Sequence, residues 1–218
     1  MGKVHEGIDE RLRSWIEAQP LFFVATAPLS PNGHVNLSPR GLRETFAVLD
    51  EHTVAWLDVT GSGSETIAHL RENGRIVVMF CAFEGAPNVV RLNGRGRAVV
   101  PADPEWEPLA RRFPDKKSAR AVIVVEVTRV SDSCGFGVPL MHYEGDRDLL
   151  DVWADRRTEE QIAEYHRTRN ATSVDGLPAL PTASGSAGVS VSETAVSRDL
   201  TGSGEIRQGW QRAANSRS

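Results

Sequence analysis

The stretch from residue 56 to residue 75 combines residue types that can bind a phosphate group. Strand-forming residues at 56–59 run into the sequence TGSGS at 60–64, where hydroxyls and small residues let an anion approach backbone N–H groups. A helix is predicted over 64–73, and Ser62 and Glu65 have the spacing of a capping box. A well-capped turn without a ligand has the same features, so the segment alone leaves both interpretations open.

Composition limits the classes of protein that this chain can represent. The 218 residues, of which 40% are hydrophobic, predict one ordered domain with a sizeable core. A net charge of −4 and a pI near 5.9 argue against general binding to nucleic acid or to an acidic membrane surface. Because no apolar run approaches the roughly 20 residues of a bilayer span and the N-terminus is charged throughout, we predict a cytoplasmic protein with no membrane partner. The histidines and cysteines lack paired ligand spacing, so no metal site is predicted.

Hydrophobic periodicity predicts a mainly β domain with a few inserted helices. Helical spacing predicts helices at 7–19 and from Asp103 to about 112. Short apolar runs separated by turn residues predict strands at 21–27, 34–38, 45–49, 53–59, 76–83, 89–100 and 121–130. Six or seven such strands predict a closed or nearly closed small barrel, which removes exposed sheet edges.

The chain changes character after residue 130. Residues 134–141 predict an ordered loop, and two short helices follow, one containing Trp153 and one starting at Thr158 with Gln161 completing a capping box. From residue 181 the chain is rich in serine, alanine, glycine and threonine and is predicted to be disordered. The predicted organisation is a barrel domain at 1–130, an extension at 131–180 that packs on the barrel or on a dimer interface, and a disordered tail at 181–218.

The order of strands and motifs resembles that of the pyridoxamine 5′-phosphate oxidase-like superfamily of FMN-binding split barrels, over about residues 15–130. The chain is most similar to an uncharacterised flavin-binding subgroup with the run TGSG.ET.AHLRENGRI..MFCAFEG, present here at 60–85, and with the later elements CGFGVPL and RNATSVDGLP. This resemblance implies a mainly β (α+β) split β-barrel with peripheral helices and an FMN cofactor. It also implies a homodimer with two flavin sites across its interface.

The resemblance also implies cofactor-binding residues. The phosphate of FMN requires a guanidinium, hydroxyls and a helix N-terminus. The better-known oxidases have an arginine–lysine pair after their turn where this chain has SGSET. The phosphate charge must then be met mainly by Arg40, Arg91 and backbone amides, or the anion differs from FMN. The predicted cofactor-binding residues are Asn36, Ser38, Pro39, Arg40, Asp58, Thr60, Ser62, Gly63, Ser64, Glu65, Thr66 and Arg91.

Several of these residues also have simpler interpretations. Residues 38–41 fit a solvated hairpin turn as well as a cofactor-binding strand. For Asp58 we favour an Asx motif that accepts hydrogen bonds from the following turn over a role as catalytic acid. For His69, on the predicted helix, we favour packing or surface exposure over a role as a base.

The sequence therefore predicts an FMN-dependent oxidoreductase that transfers a hydride between a nicotinamide donor and a small organic acceptor. No strong acid–base pair is visible, so no catalytic residue is assigned. Two alternatives remain open. One is a flavin-binding or carrier protein without turnover, and the other is a split barrel that binds a deazaflavin or haem.

Overall fold

A computed structural model of the protein describes residues 2–41 and 43–181. Apart from residue 181, the predicted disordered tail lies outside the described residues. The strands are β1 (Val4–His5), β2 (Phe22–Thr26), β3 (Asn36–Arg40), β4 (Phe46–Asp50), β5 (Thr53–Val59), β6 (Arg75–Cys81), β7 (Val89–Val99) and β8 (Ala119–Ser133). The helices are α1 (Glu10–Glu17), α2 (Glu65–Glu72), α3 (Trp106–Ala110), α4 (Leu149–Asp155) and α5 (Glu159–Arg169).

The strands form one antiparallel sheet, which confirms the predicted mainly β class. Its order is β3-β2-β6-β7-β8-β5-β4, and β1 pairs with β8. Of the two predicted forms, closed or nearly closed, the closed barrel is not formed, because this path ends at β3 and β4 without a pairing between them. Pro39 lies in β3 and has no N–H to donate to a further strand, which suits an edge position. Two helices pack on the sheet, α1 on β4 and α2 on β2, β6 and β7.

Apolar side chains that alternate along the strands form the core. Trp56 of β5 and Phe80 of β6 are almost fully buried, and both pack around Phe22 with ring centroids 5.6 Å away. A second apolar cluster on the other face of β5 and β8 includes Phe113, which follows α3. The helix predicted from Asp103 to about 112 is shorter than expected, because α3 itself spans five residues.

The extension after the barrel contains the predicted helices. The capping box of α5 is confirmed, with the Thr158 hydroxyl accepting from the Gln161 N–H while the Gln161 side chain accepts from the Thr158 N–H. Residues 134–148 contain neither helix nor strand, as expected for a loop. The strand β8 continues to Ser133, so it crosses the predicted boundary at residue 130. Among the described residues, none of the helices is long and apolar enough to span a bilayer.

Candidate cofactor-binding site

Polar side chains line the inner face of the edge strand β3. Asn36, Ser38 and Arg40 alternate along this strand, so their side chains lie on one face of the sheet. Their partners on β2 are all buried, which shows that this face is turned toward the core. The interpretation of residues 38–41 as a solvated hairpin turn is wrong, because Ser38 to Arg40 are paired within the sheet.

A chain of hydrogen bonds joins β3 to β2 and to the first turn of α2. The Asn36 side-chain amide donates to Thr26 Oγ1 at 3.0 Å and to Thr66 Oγ1 at 3.1 Å, and the Ser38 hydroxyl donates to Asn36 Oδ1 at 2.7 Å. Thr26 Oγ1 also lies 2.9 Å from His69 Nδ1. Burial lowers the pKa of His69, so its ring is neutral near pH 7. His69 is therefore a buried packing residue within this network, as one of the simpler interpretations predicted.

Arg40 connects this chain of hydrogen bonds to an ion-pair cluster. Its Nη2 donates to Thr66 Oγ1 at 3.4 Å, and its Nη1 lies 2.8 Å from Asp58 Oδ1. The other carboxylate oxygen of Asp58 accepts from Arg120 Nε, also at 2.8 Å. Burial alone would raise the pKa of Asp58, but the charges of Arg120 and Arg40 outweigh it and hold the pKa below its usual value.

The prediction that Asp58 accepts hydrogen bonds from the following turn is thus wrong. The carboxylate binds two guanidiniums rather than the N–H groups of the following turn. A sequence-local turn cannot compete here, because a buried carboxylate gains far more from charged donors than from neutral ones. We call the side chains of β2, β3 and α2 joined by these hydrogen bonds the strand network, defined by Thr26, Asn36, Ser38, Arg40, Thr66 and His69.

The turn that leads into α2 is covered by the C-terminal extension. The Thr60 hydroxyl donates to the Ser118 carbonyl at 2.8 Å and lies 2.7 Å from His166 Nε2. Because its one proton goes to Ser118, Thr60 accepts from the Nε2–H of His166, which fixes the tautomer of this ring. Burial, followed by the charge of Arg120, lowers the pKa of His166 to about 4 against a smaller opposing effect of Asp58, so the ring is neutral near pH 7.

Further bonds fasten the same turn. The Asn170 side-chain amide donates to the Gly61 carbonyl at 3.0 Å, and the Ser64 hydroxyl donates to the Thr172 carbonyl at 3.0 Å. The Val174 N–H donates to the Glu65 carboxylate at 3.0 Å. We call residues 166–174 the C-terminal cover, since they bind polar groups at both ends of the turn, on Thr60, Gly61, Ser64 and Glu65.

These contacts also decide how α2 begins. The predicted capping box of Ser62 and Glu65 is wrong, because the N-cap is Ser64 and its side chain makes no capping bond. The Ser64 hydroxyl and the Glu65 carboxylate are both held by the C-terminal cover. Ser62 is exposed, and a Cβ on Gly63 would lie 2.2 Å from a carboxylate oxygen of Glu65, so a larger residue there would displace that side chain.

Arg91 lies apart from the strand network within this chain. It pairs across the sheet with Met79 of β6, and Met79 is in register with Phe23 and Pro39, whose side chains point away from the inner face. Arg91 Nη1 donates to the Ser133 hydroxyl at 3.0 Å. The structure therefore brings Asn36, Ser38, Arg40, Asp58 and Thr66 together, and it places Arg91 and Pro39 on the other face of the sheet.

Sequence reasoning missed Arg120, His166 and Asn170. Arg120 directly precedes the most apolar run of the chain, at 121–130. A charged residue next to such a run indicates a buried ion pair, because a buried charge must find a partner. His166 and Asn170 belong to the extension, and their spacing of four on α5 and its C-cap gives no sign of the turn that they contact, 106 and 109 residues earlier.

Comparison with known proteins identifies the relatives of this chain. A sequence profile described as pyridoxamine 5′-phosphate oxidase matches residues 8–134. The chain is 41% identical over 195 residues to the pyridoxamine 5′-phosphate oxidase family protein ustO of Aspergillus flavus, an alignment that covers 82% of this chain and 78% of that protein. This chain belongs to the pyridoxamine 5′-phosphate oxidase family. The residues matched by the family profile include the strand network, the turn and Arg120, whereas the C-terminal cover lies beyond them.

Solved structures show more distant likenesses. An FAD-binding protein from Mycobacterium smegmatis is 14% identical with a TM-score of 0.42, over 60% of this chain and 96% of that one. An FMN-binding protein from Syntrophomonas wolfei is 18% identical with a TM-score of 0.41, over 60% of this chain and 85% of that one. HupZ of Group A Streptococcus is 21% identical with a TM-score of 0.44, over 56% of this chain and 91% of that one. Likenesses at this level say nothing about a ligand of this family member.

Proposed function

We propose that this protein binds FMN and acts as an oxidoreductase, moving a hydride between a nicotinamide donor and a small organic acceptor. Membership in the pyridoxamine 5′-phosphate oxidase family supports a flavin. The observation that carries the proposal is the position of Arg40. Its guanidinium is held by Asp58 and Thr66 beside the first turn of α2, and its Nε has no hydrogen-bond partner among the described residues.

The residues around Arg40 suit the phosphate of FMN. A phosphate monoester carries nearly two negative charges near pH 7 and accepts several hydrogen bonds, and a guanidinium with nearby hydroxyls satisfies both demands. Arg40 supplies the guanidinium, while Thr66 and Ser38 supply hydroxyls. The start of α2 adds the positive end of a helix dipole.

The chain's own residues then bind and orient the cofactor, and the bound flavin would supply the hydride chemistry. The strand network can hold Arg40 rigidly, because Asn36 is fixed by three hydrogen bonds between β2, β3 and α2. The neutral ring of His69 is the fully buried member of the network and is hydrogen-bonded to Thr26, so it supports the site rather than meeting a substrate.

A simple experiment tests the cofactor and the reaction in turn. The full chain is purified, its visible spectrum is recorded and any released chromophore is identified by mass. We expect an FMN spectrum, anaerobic bleaching by NADH or NADPH, and reoxidation by a small organic acceptor. A protein that neither contains FMN nor binds it in a titration would contradict the proposal. Bound FMN that no donor reduces would favour a carrier, and a deazaflavin or haem chromophore would favour the other alternative.

We further propose that the protein is a cytoplasmic homodimer. The outer face of the sheet at the β3 edge carries apolar residues such as Leu37, which is 65% exposed, and the preceding Val35 is 74% exposed. Such side chains on a sheet edge favour a protein partner. Sedimentation at micromolar concentration is expected to give twice the chain mass. A monomer that still contains flavin would contradict the dimer without affecting the cofactor.

A further inference from the structure

The ion-pair cluster beneath the turn contains more positive than negative charge. Arg40 and Arg120 share the single carboxylate of Asp58, whose side chain is fully buried, and the Arg120 side chain is 2% exposed. The neighbouring ring of His166 does not change this balance, because its pKa of about 4 leaves it neutral near pH 7. Two guanidiniums and one carboxylate leave one positive charge without a counterion, and buried charges are costly unless they are paired.

Arg120 also has unused hydrogen-bonding capacity. Its Nε donates to Asp58, whereas its Nη1 is buried and has no partner among the described residues. Its Nη2 lies 3.9 Å from the position that a Cβ on Gly61 would occupy, so the guanidinium faces the backbone of the turn before α2. A positive charge therefore lies directly behind the turn, at the same end of α2 as Arg40.

We propose that Arg120 makes this site selective for a flavin that carries a phosphate. In this role Arg120 and Arg40 together provide the positive charge that meets the phosphate, and Asp58 holds both guanidiniums in place. The inference rests on the proposed function, since it concerns the phosphate end of the same cofactor. Arg120 acts here as a specificity-determining residue through its charge, whether or not an atom of the ligand reaches it.

The test compares two probes, FMN and riboflavin, which differ in the phosphate alone. Their dissociation constants are measured by quenching of flavin fluorescence. For Arg120→Gln we expect FMN affinity to fall about 10-fold, less than for a residue in direct contact with the phosphate, while riboflavin affinity changes less than about 3-fold. Arg120→Lys keeps the charge and should restore most of the preference for FMN. The control is Arg97→Gln, because Arg97 of β7 forms an exposed ion pair with Glu105, which precedes α3, and its replacement should leave both constants unchanged.

A second variant keeps the proposal falsifiable if Arg120→Gln fails to fold. Arg120→Met removes the charge but fills the buried space with an apolar side chain of similar length, and Asp58 keeps Arg40 as its partner, so the preference for FMN over riboflavin should fall as it does in Arg120→Gln. A structural ion pair without a role in phosphate recognition would leave the FMN-to-riboflavin ratio unchanged in both variants, and that result would overturn the proposal.

The two proposals fail in different ways. If the native protein binds neither probe, the proposed function is wrong. If it binds FMN and riboflavin equally well, flavin binding stands and the role of Arg120 is refuted.

Discussion

The strand network and the turn before α2 contain similar polar residues, but the hydrogen-bond partners of these residues differ. In the strand network the hydroxyls and the Asn36 amide bond to one another, and Arg40 keeps a nitrogen without a partner among the described residues. In the turn, the polar groups of Thr60, Ser64 and Glu65 are taken by the C-terminal cover or by Ser118. A hydroxyl-rich turn is thus a weaker sign of a binding site than an arginine whose bonds are incomplete.

The largest effect is expected for Arg40→Ala. The variant loses a charge-assisted contact to the proposed phosphate worth about 1.5–3 kcal/mol, so FMN affinity should fall about 10- to 150-fold. The fold should persist, because Asp58 keeps Arg120 as a partner. Fluorescence titration measures the affinity, and Arg97→Ala is the matched surface control. Unchanged FMN retention would mean that the phosphate lies elsewhere and that the strand network is not its binding site.

The second-largest effect is expected on the stability of the fold, for a substitution in the C-terminal cover. Asn170 is fully buried, and its side-chain amide donates to the Gly61 carbonyl. Asn170→Ala leaves that half-buried carbonyl without this donor and should lower the free energy of unfolding by about 1–2 kcal/mol, measured by urea denaturation. Thr168→Ala on the same helix removes an exposed bond to the Glu164 carbonyl and should change stability far less. FMN affinity should fall less in Asn170→Ala than in Arg40→Ala, and the reverse order would mean that the cover forms the site.

A smaller effect is expected on the pH dependence of stability, through His166 of the same C-terminal cover. The folded-state pKa of His166 is about 4, below the ordinary 6.5, so the unfolded chain binds more protons between these values. The stability that depends on neutral His166 is therefore complete above pH 6.5 and is lost as the pH falls toward 4. His69 contributes in the same direction because burial lowers its pKa too.

His166→Gln is the variant that tests this dependence. Glutamine keeps an N–H that can donate to Thr60 but cannot be protonated in this range, so its unfolding midpoint should vary less between pH 6.5 and 4. Asp58 does not obscure the result, since its lowered pKa places its own loss of stability below that window. Equal pH dependence in the native protein and in His166→Gln would show that the ring is not a buried neutral partner of Thr60.

Local patterns predicted much of the fold. Strands β2 to β8 and the helices α1, α2, α4 and α5 follow from apolar periodicity and turn residues, whereas β1 was not predicted. The capping box of Thr158 was visible because both of its partners lie within one helical turn. Local patterns left open whether the barrel closes, because strand pairing between distant segments leaves no local signal. In the site, the alternation of Asn36, Ser38 and Arg40 on one strand was readable, whereas the partners of Asp58 come from β3 and β8 and depend on tertiary packing.

Ser62→Ala is expected to have the smallest effect. It tests whether Ser62 caps α2, as the sequence predicted, or whether the C-terminal cover fixes the start of this helix. If Ser62 capped the helix, the change would cost about 1 kcal/mol of stability. In the structure Ser62 is exposed and its hydroxyl has no hydrogen-bond partner among the described residues, so the expected loss is below about 0.5 kcal/mol. Ser64→Ala is the matched comparison, because it removes the buried bond to the Thr172 carbonyl and should cost about 1 kcal/mol. Urea denaturation of the two variants side by side decides the point, since equal losses would mean that the C-terminal cover does not fix the turn.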